Sequence, residues 1–153
     1  MNTPIHIIYA STSGNTEFVM DTVANKWRKM GRKVVLHRSE VTDIDIVKEN
    51  SHFLLATSTW DHGTINPFFN KLLAEIKKTD CSGKQSAFIG LGDRKYTKHH
   101  FCKGMTLLKE VWEKVDGESL GIALTIGREP FDELMIKVIE DWAEKTLELF
   151  RNS

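Results

Sequence analysis

Six consecutive residues, Ser11-Thr12-Ser13-Gly14-Asn15-Thr16, hold four hydroxyls, one amide and one glycine. Side chains of this kind, in a turn between a strand and a helix, can surround an anion with O–H and N–H donors. The backbone N–H groups of a helix's first turn have no carbonyl one turn back, and the helix dipole adds positive charge at that end. Gly14 allows backbone geometry that a β-carbon would hinder. The chemistry this suits is the capture of a phosphate. The segment is not a nucleoside-triphosphate loop, because no lysine lies between Ser11 and Thr16. With one glycine it is not a dinucleotide fingerprint either. The competing reading is that Ser, Thr, Asn and Gly only cap a helix.

The elements that must position this loop are legible as apolar runs. Ile5–Ala10 has the composition of a buried strand. Val19, Val23, Trp27 and Met30 mark one face of a helix over 17–30. Lys33–Arg38, His52–Thr57, Lys84–Gly90 and Gly121–Ile126 supply four more strands. Between them, Val41, Ile44, Ile46 and Val47 suggest a short helix. Pro67 opens a helix carrying Phe68, Phe69, Leu72, Leu73 and Ile76. Phe101, Met105, Leu108, Trp112 and Val115 mark the next helix, and Phe131, Leu134, Met135, Val138, Trp142 and Leu149 the last.

Alternating strands and helices predict an α/β three-layer sandwich: a five-stranded parallel sheet in the order 2-1-3-4-5 with helices on both faces. In such a sheet the ligand crevice lies beyond the carboxyl ends of strands 1, 3 and 4. Three loops of unusual composition fall there. Beside Ser11–Thr16 stand Ser58-Thr59-Trp60-Asp61-His62-Gly63, running on to Asn66, and Leu91-Gly92-Asp93-Arg94-Lys95-Tyr96, running on to His100. Trp60 and Tyr96 are flat surfaces on opposite sides of one crevice. Each alone is ordinary rim packing. With the nest between them they describe a flat, phosphorylated, aromatic ligand.

S-T-S-G-N-T after strand one, S-T-W after strand three, and G-x-G-D-x-x-Y followed by Phe101-Cys102 after strand four resemble the flavodoxins, in order and spacing. The resemblance covers the whole chain, 1–153, as a single flavodoxin-like domain, and lacking an insertion in strand five it points to the short-chain group. It implies FMN. The phosphate would be held by Ser11, Thr12, Ser13, Gly14, Asn15 and Thr16 with help from Ser58 and the Trp60 indole, and the isoalloxazine would lie between Trp60 and Tyr96. Backbone groups around Thr59, Asp61, Asp93 and Cys102 would meet its polar edge, with His62, Gly63, Leu91, Gly92 and Phe101 lining the same loops. It also implies a carrier, not an enzyme, that passes single electrons from an NAD(P)H-dependent flavodoxin/ferredoxin reductase to an acceptor redox enzyme. The peptide Asp61–His62 would be the one that turns its carbonyl toward the flavin.

The chain departs from the family in charge. Flavodoxins are mostly acidic, whereas here 21 basic residues balance 21 acidic ones, and 94–103 holds Arg94, Lys95, Lys98, Lys103 and two histidines with no acid. If Arg94, Lys95 and Lys98 ring the flavin, they favour its anionic reduced form. Asp61 also replaces the glycine common in relatives. The balanced total gives no reason to expect nucleic acid or a membrane as partner. No apolar run is long enough to span a bilayer, and Met1-Asn2-Thr3-Pro4 leads into the first strand without a signal peptide. Cys81 and Cys102 lack metal spacing, and His62, His99 and His100 lack companion ligands. A reduced, cytoplasmic, metal-free monomer is expected. The alternatives on the same fold are an FMN-dependent NAD(P)H quinone or nitro reductase and a dedicated activator of one enzyme. A signalling receiver is excluded, since Thr57-Ser58-Thr59 and Ala10-Ser11 stand where its acids belong.

Overall fold

The computed structural model describes residues 3–11, 14–60, 64–92, 103–127 and 132–151, with Trp60 and Thr64 described by backbone alone. The strands are β1 (Ile5–Ala10), β2 (Val34–Arg38), β3 (His52–Trp60), β4 (Thr64–Ile65), β5 (Gln85–Leu91), β6 (Glu118–Ser119) and β7 (Leu124–Ile126). The helices are α1 (Asn15–Lys29), α2 (Ile44–Glu49), α3 (Asn70–Ile76), α4 (Lys103–Lys114) and α5 (Glu133–Leu147), with 3₁₀ turns at Ser39–Val41 and Pro67–Phe69. β2, β1, β3 and β5 lie side by side in parallel, and β6 and β7 share the outer edge of β5. With β6 and β7 read as one interrupted strand, this is the expected order 2-1-3-4-5.

Side chains alternate across the central strands and divide the core in two. Ile5, Ile7, Tyr9, Leu54, Ala56, Ala87 and Ile89 face α1 and α5. Ile8, Ala10, Phe53, Leu55 and Phe88 face the other layer, built from Val47, Phe69, Leu72, Ile76, Met105, Leu108 and Trp112. Both faces are covered, and β1 and β5 are buried along their whole length.

Several elements differ from expectation. The fifth strand is two pieces: Leu120 N–H still donates to the Ser86 carbonyl of β5 (2.9 Å), but the Ile122 carbonyl accepts from the Trp142 indole (2.8 Å) before β7 rejoins β5. Residues 58–60, expected as loop, are strand. β3 continues to Trp60 and folds back as an antiparallel pairing with β4. Met30, Val41, Leu134, Val138 and Leu149, assigned to helix faces, are exposed. On α5 the buried stripe is Ile139, Ala143, Thr146 and Leu147. Its small members let α1 come close enough for the Trp27 indole to donate to the Ala143 carbonyl at 2.7 Å. Phe131 lies outside the described residues.

Candidate functional site

Register places the loop origins in one line. Ala10 pairs with Thr57, Thr57 with Gly90, and Gly90 with Thr125. The next residues along, Ser11, Ser58 and Leu91, therefore stand in a row at the carboxyl edge, at strand spacings of about 4.8 Å. Three chain segments separated by dozens of residues start their loops at the same height. This is the crevice that parallel topology provides.

At the first loop Ser11 is buried, and its Oγ accepts from the Gly14 N–H at 3.1 Å. Gly14 sits at the N-cap of α1 with φ 89°, in the left-handed region, and a β-carbon there would meet open space. The glycine is required by backbone conformation and not by crowding. Its carbonyl accepts the first helical bond, from Phe18 N–H at 3.0 Å. Asn15 and Thr16 open the helix, with Thr16 buried. The simple capping alternative fits poorly, since the capping position carries no side chain and makes no side-chain cap bond. Thr12 and Ser13 lie outside the described residues.

The second loop rests on two buried polar contacts. Asn66 is fully buried. Its Nδ2 donates to Ser58 Oγ (2.9 Å) while its Oδ1 accepts from Phe68 N–H (2.9 Å). Thr59 Oγ1 accepts from Gly104 N–H at 3.1 Å, tying the end of β3 to the start of α4. A hydroxyl that accepts from Asn66 still has its own proton to donate, so Ser58 keeps the donor role expected of it. On β5 Leu91 is buried, and Gly92 N–H donates to the Ile126 carbonyl at 3.0 Å, fixing where the third loop departs. The Trp60 side chain, Asp61, His62, Gly63, Asp93, Tyr96, Phe101 and Cys102 lie outside the described residues, as do Arg94, Lys95 and Lys98. Of the expected site, the structure thus brings together Ser11, Gly14, Asn15, Thr16, Ser58, Thr59, Leu91 and Gly92.

Two further participants escaped the sequence reading. One is Asn66. The other is Arg38, the last residue of β2. Its Nη2 donates to the Ser11 carbonyl (2.8 Å), its Nη1 to Glu17 (3.1 Å) and its Nε to Glu40 (2.9 Å), and the guanidinium lies 5.7 Å from the centroid of the Tyr9 ring. The bond to Glu40 holds the Arg38 pKa above its ordinary value. Burial, then the nearby Glu17 carboxylate, push the Tyr9 phenol upward. No local sequence signal marks Arg38: it lies beside the first loop because it pairs with Tyr9, one residue before the end of β1.

The donors present, hydroxyls and backbone N–H groups around a left-handed glycine at a helix start, fit a phosphate group. Among the described residues no cluster of His, Cys, Asp or Glu could hold a metal.

Comparisons with known proteins agree. The family model described as Flavodoxin matches residues 7–142. A flavodoxin of Maridesulfovibrio salexigens is 29% identical over 129 residues, 81% of this chain and 86% of that one. The crystal structure of oxidised Flavodoxin 2 from Bacillus cereus superposes with a TM-score of 0.89 at 28% identity, covering 96% of this chain and 99% of the other. The Fusobacterium nucleatum flavodoxin bound to flavin mononucleotide shares the fold, with a TM-score of 0.84 at 20% identity, covering 97% of this chain and 99% of that one. With the ordered strand ends, the phosphate-type cradle and a match spanning most of the chain, this protein belongs to the flavodoxin family, FMN-binding electron-transfer proteins that act as carriers and not as enzymes.

Proposed function

We propose that this chain holds FMN at the carboxyl edge of the sheet and passes single low-potential electrons from an NAD(P)H-dependent flavodoxin/ferredoxin reductase to an acceptor redox enzyme, as a cytoplasmic monomer. The observation that carries the reading is the row Ser11, Ser58, Leu91, with a buried hydroxyl and a left-handed glycine at its first member. FMN, when bound, supplies the one-electron chemistry. The residues bind and orient it.

In this reading Ser11, Thr12, Ser13, Gly14, Asn15 and Thr16 hold the phosphate, joined by the Ser58 hydroxyl. Trp60 and Tyr96 cover the two faces of the ring and exclude water. Asp61, His62 and Gly63 lie in sequence between β3 and β4, whose pairing the Asn66–Ser58 bond braces. The Thr59–Gly104 bond ties the end of β3 to the start of α4. Backbone groups near Asp93 and Cys102 meet the polar edge of the ring, lined by Leu91, Gly92 and Phe101. A dry, aromatic setting close to a phosphate disfavours added negative charge, which sets a low potential. The cations of the 94–103 segment oppose that effect where they approach the ring. Among the described residues no helix is long and apolar enough to cross a membrane.

Absorption spectra recorded during stepwise photoreduction of the purified protein with FMN test the proposal. Bound flavin and two resolved one-electron steps are expected, with negligible NADPH oxidation by the protein alone. A chain that leaves FMN emission unquenched refutes binding. Rapid direct NADPH oxidation would identify a reductase instead.

A further inference from the structure

The three N–H edges of Arg38 meet three different segments: the Ser11 carbonyl, the Glu17 carboxylate in the first turn of α1, and Glu40 in the 3₁₀ turn after β2. Only a planar fork reaches three acceptors at once in this way. Two of those acceptors bear on the phosphate loop. Ser11 is the residue at which the loop leaves β1, and peptide planarity transmits the anchoring of its carbonyl to the next bond of the chain. Glu17 places a negative charge in the turn whose positive end an anion would use, and so competes with it. Asp21 lies one helical turn further on and acts on Tyr9 alongside Glu17. Against Glu17, Asp21 and Glu40, the cation that these contacts place beside the loop is Arg38.

We propose that Arg38 is a positioning residue for the flavin phosphate: by holding the Ser11 carbonyl and neutralising Glu17, it makes the loop selective for the phosphorylated flavin. This rests on the reading that the loop takes the FMN phosphate. Arg38 need not touch the flavin. It fixes the loop from behind and removes the carboxylate that would repel the ligand. Lysine in its place would keep one charge and lose the fork.

The test is titration of the full-length, flavin-stripped protein with FMN and, separately, with riboflavin, followed by fluorescence quenching, in wild type, Arg38→Met and Arg38→Lys. Both variants should lose FMN affinity by about tenfold or more. Riboflavin affinity should stay within about twofold, since riboflavin has no phosphate to place. Equal losses for both flavins would mean a general structural role and overturn the proposal. So would full FMN affinity in Arg38→Lys, which would reduce the effect to bare charge, or unchanged affinity in Arg38→Met. If Arg38→Met fails to fold, Arg38→Lys, which keeps the charge and loses the fork, carries the test: it should cost FMN, and not riboflavin, about tenfold, and no difference between the flavins overturns the proposal. A wild-type chain that binds riboflavin as tightly as FMN removes the phosphate reading itself. That result appears before any substitution, so the two failures are distinguishable.

Discussion

Truncating Asn66 to alanine should open the hairpin that leads from β3 into β4. Its side chain is fully buried and makes two bonds in opposite directions, to Ser58 Oγ across the hairpin base and from Phe68 N–H in the 3₁₀ turn. Loss of the capping acceptor costs about 1 kcal/mol. Loss of the bond to Ser58 costs about 1 kcal/mol more, since the serine hydroxyl has a position set by that donor. The void left by the amide adds about 1 kcal/mol, because β3, β4 and the following helix close around it. The sum, about 3 kcal/mol, corresponds to a fall in melting temperature of roughly 6–12 °C for a chain of this size. Urea unfolding followed by circular dichroism measures it, and pairing Asn66→Ala with Ser58→Ala isolates the bond between them, with a coupling of about 1 kcal/mol expected. FMN affinity should fall as well, because residues between β3 and β4 in the sequence are proposed to meet the ring. A change in stability below about 0.5 kcal/mol, or strictly additive Asn66 and Ser58 effects, would refute the claim that this amide holds the hairpin.

Two other expectations follow from buried contacts. His6 Nδ1 lies 2.8 Å from His37 Nε2 with the rings stacked, and the pKa of each imidazole is lowered, chiefly by burial. The unfolded chain then takes up protons that the folded chain refuses as the pH falls below about 6.5, so stability present at neutral pH should decline through that window and level off below the folded pKa values. The paired variant His6→Asn/His37→Asn should flatten the slope of unfolding free energy against pH below about 6.5, and an unaltered slope would count against the pair. Gly117→Ala would drive a β-carbon into the Trp112 ring at Nε1, in a fully buried indole that donates to the Glu118 carbonyl. A loss of about 2–4 kcal/mol is expected in urea unfolding, much of it relieved in the Trp112→Phe background. Wild-type stability would contradict the contact.

How far the chain could be read without its structure depended on whether a signal was local or came from a second segment. The parallel sheet was legible because Ile5–Ala10, His52–Thr57 and Lys84–Gly90 are apolar runs whose composition forces burial on both faces. The phosphate-type loop was legible because hydroxyls and glycine at a strand-to-helix turn have few other uses. Ser58-Thr59-Trp60 misled because polar side chains look like a loop, yet Thr59 is buried and spends its hydroxyl on Gly104 N–H, a partner far along the chain. On α5 the large residues Leu134 and Val138 suggested one face, while Ala143 and Thr146 mark the buried one, since close helix packing rewards small side chains that hydropathy undervalues. Arg38 is the informative case. Alone it is a charged residue at a strand end, the ordinary mark of a solvated terminus. It becomes part of the site only because parallel pairing sets it against Tyr9 and because α1 brings Glu17 within its reach. In the residues that contact a phosphate directly, function follows from donor chemistry and local spacing. In the residues that hold those donors in place it follows from register, and register is fixed by the sheet as a whole.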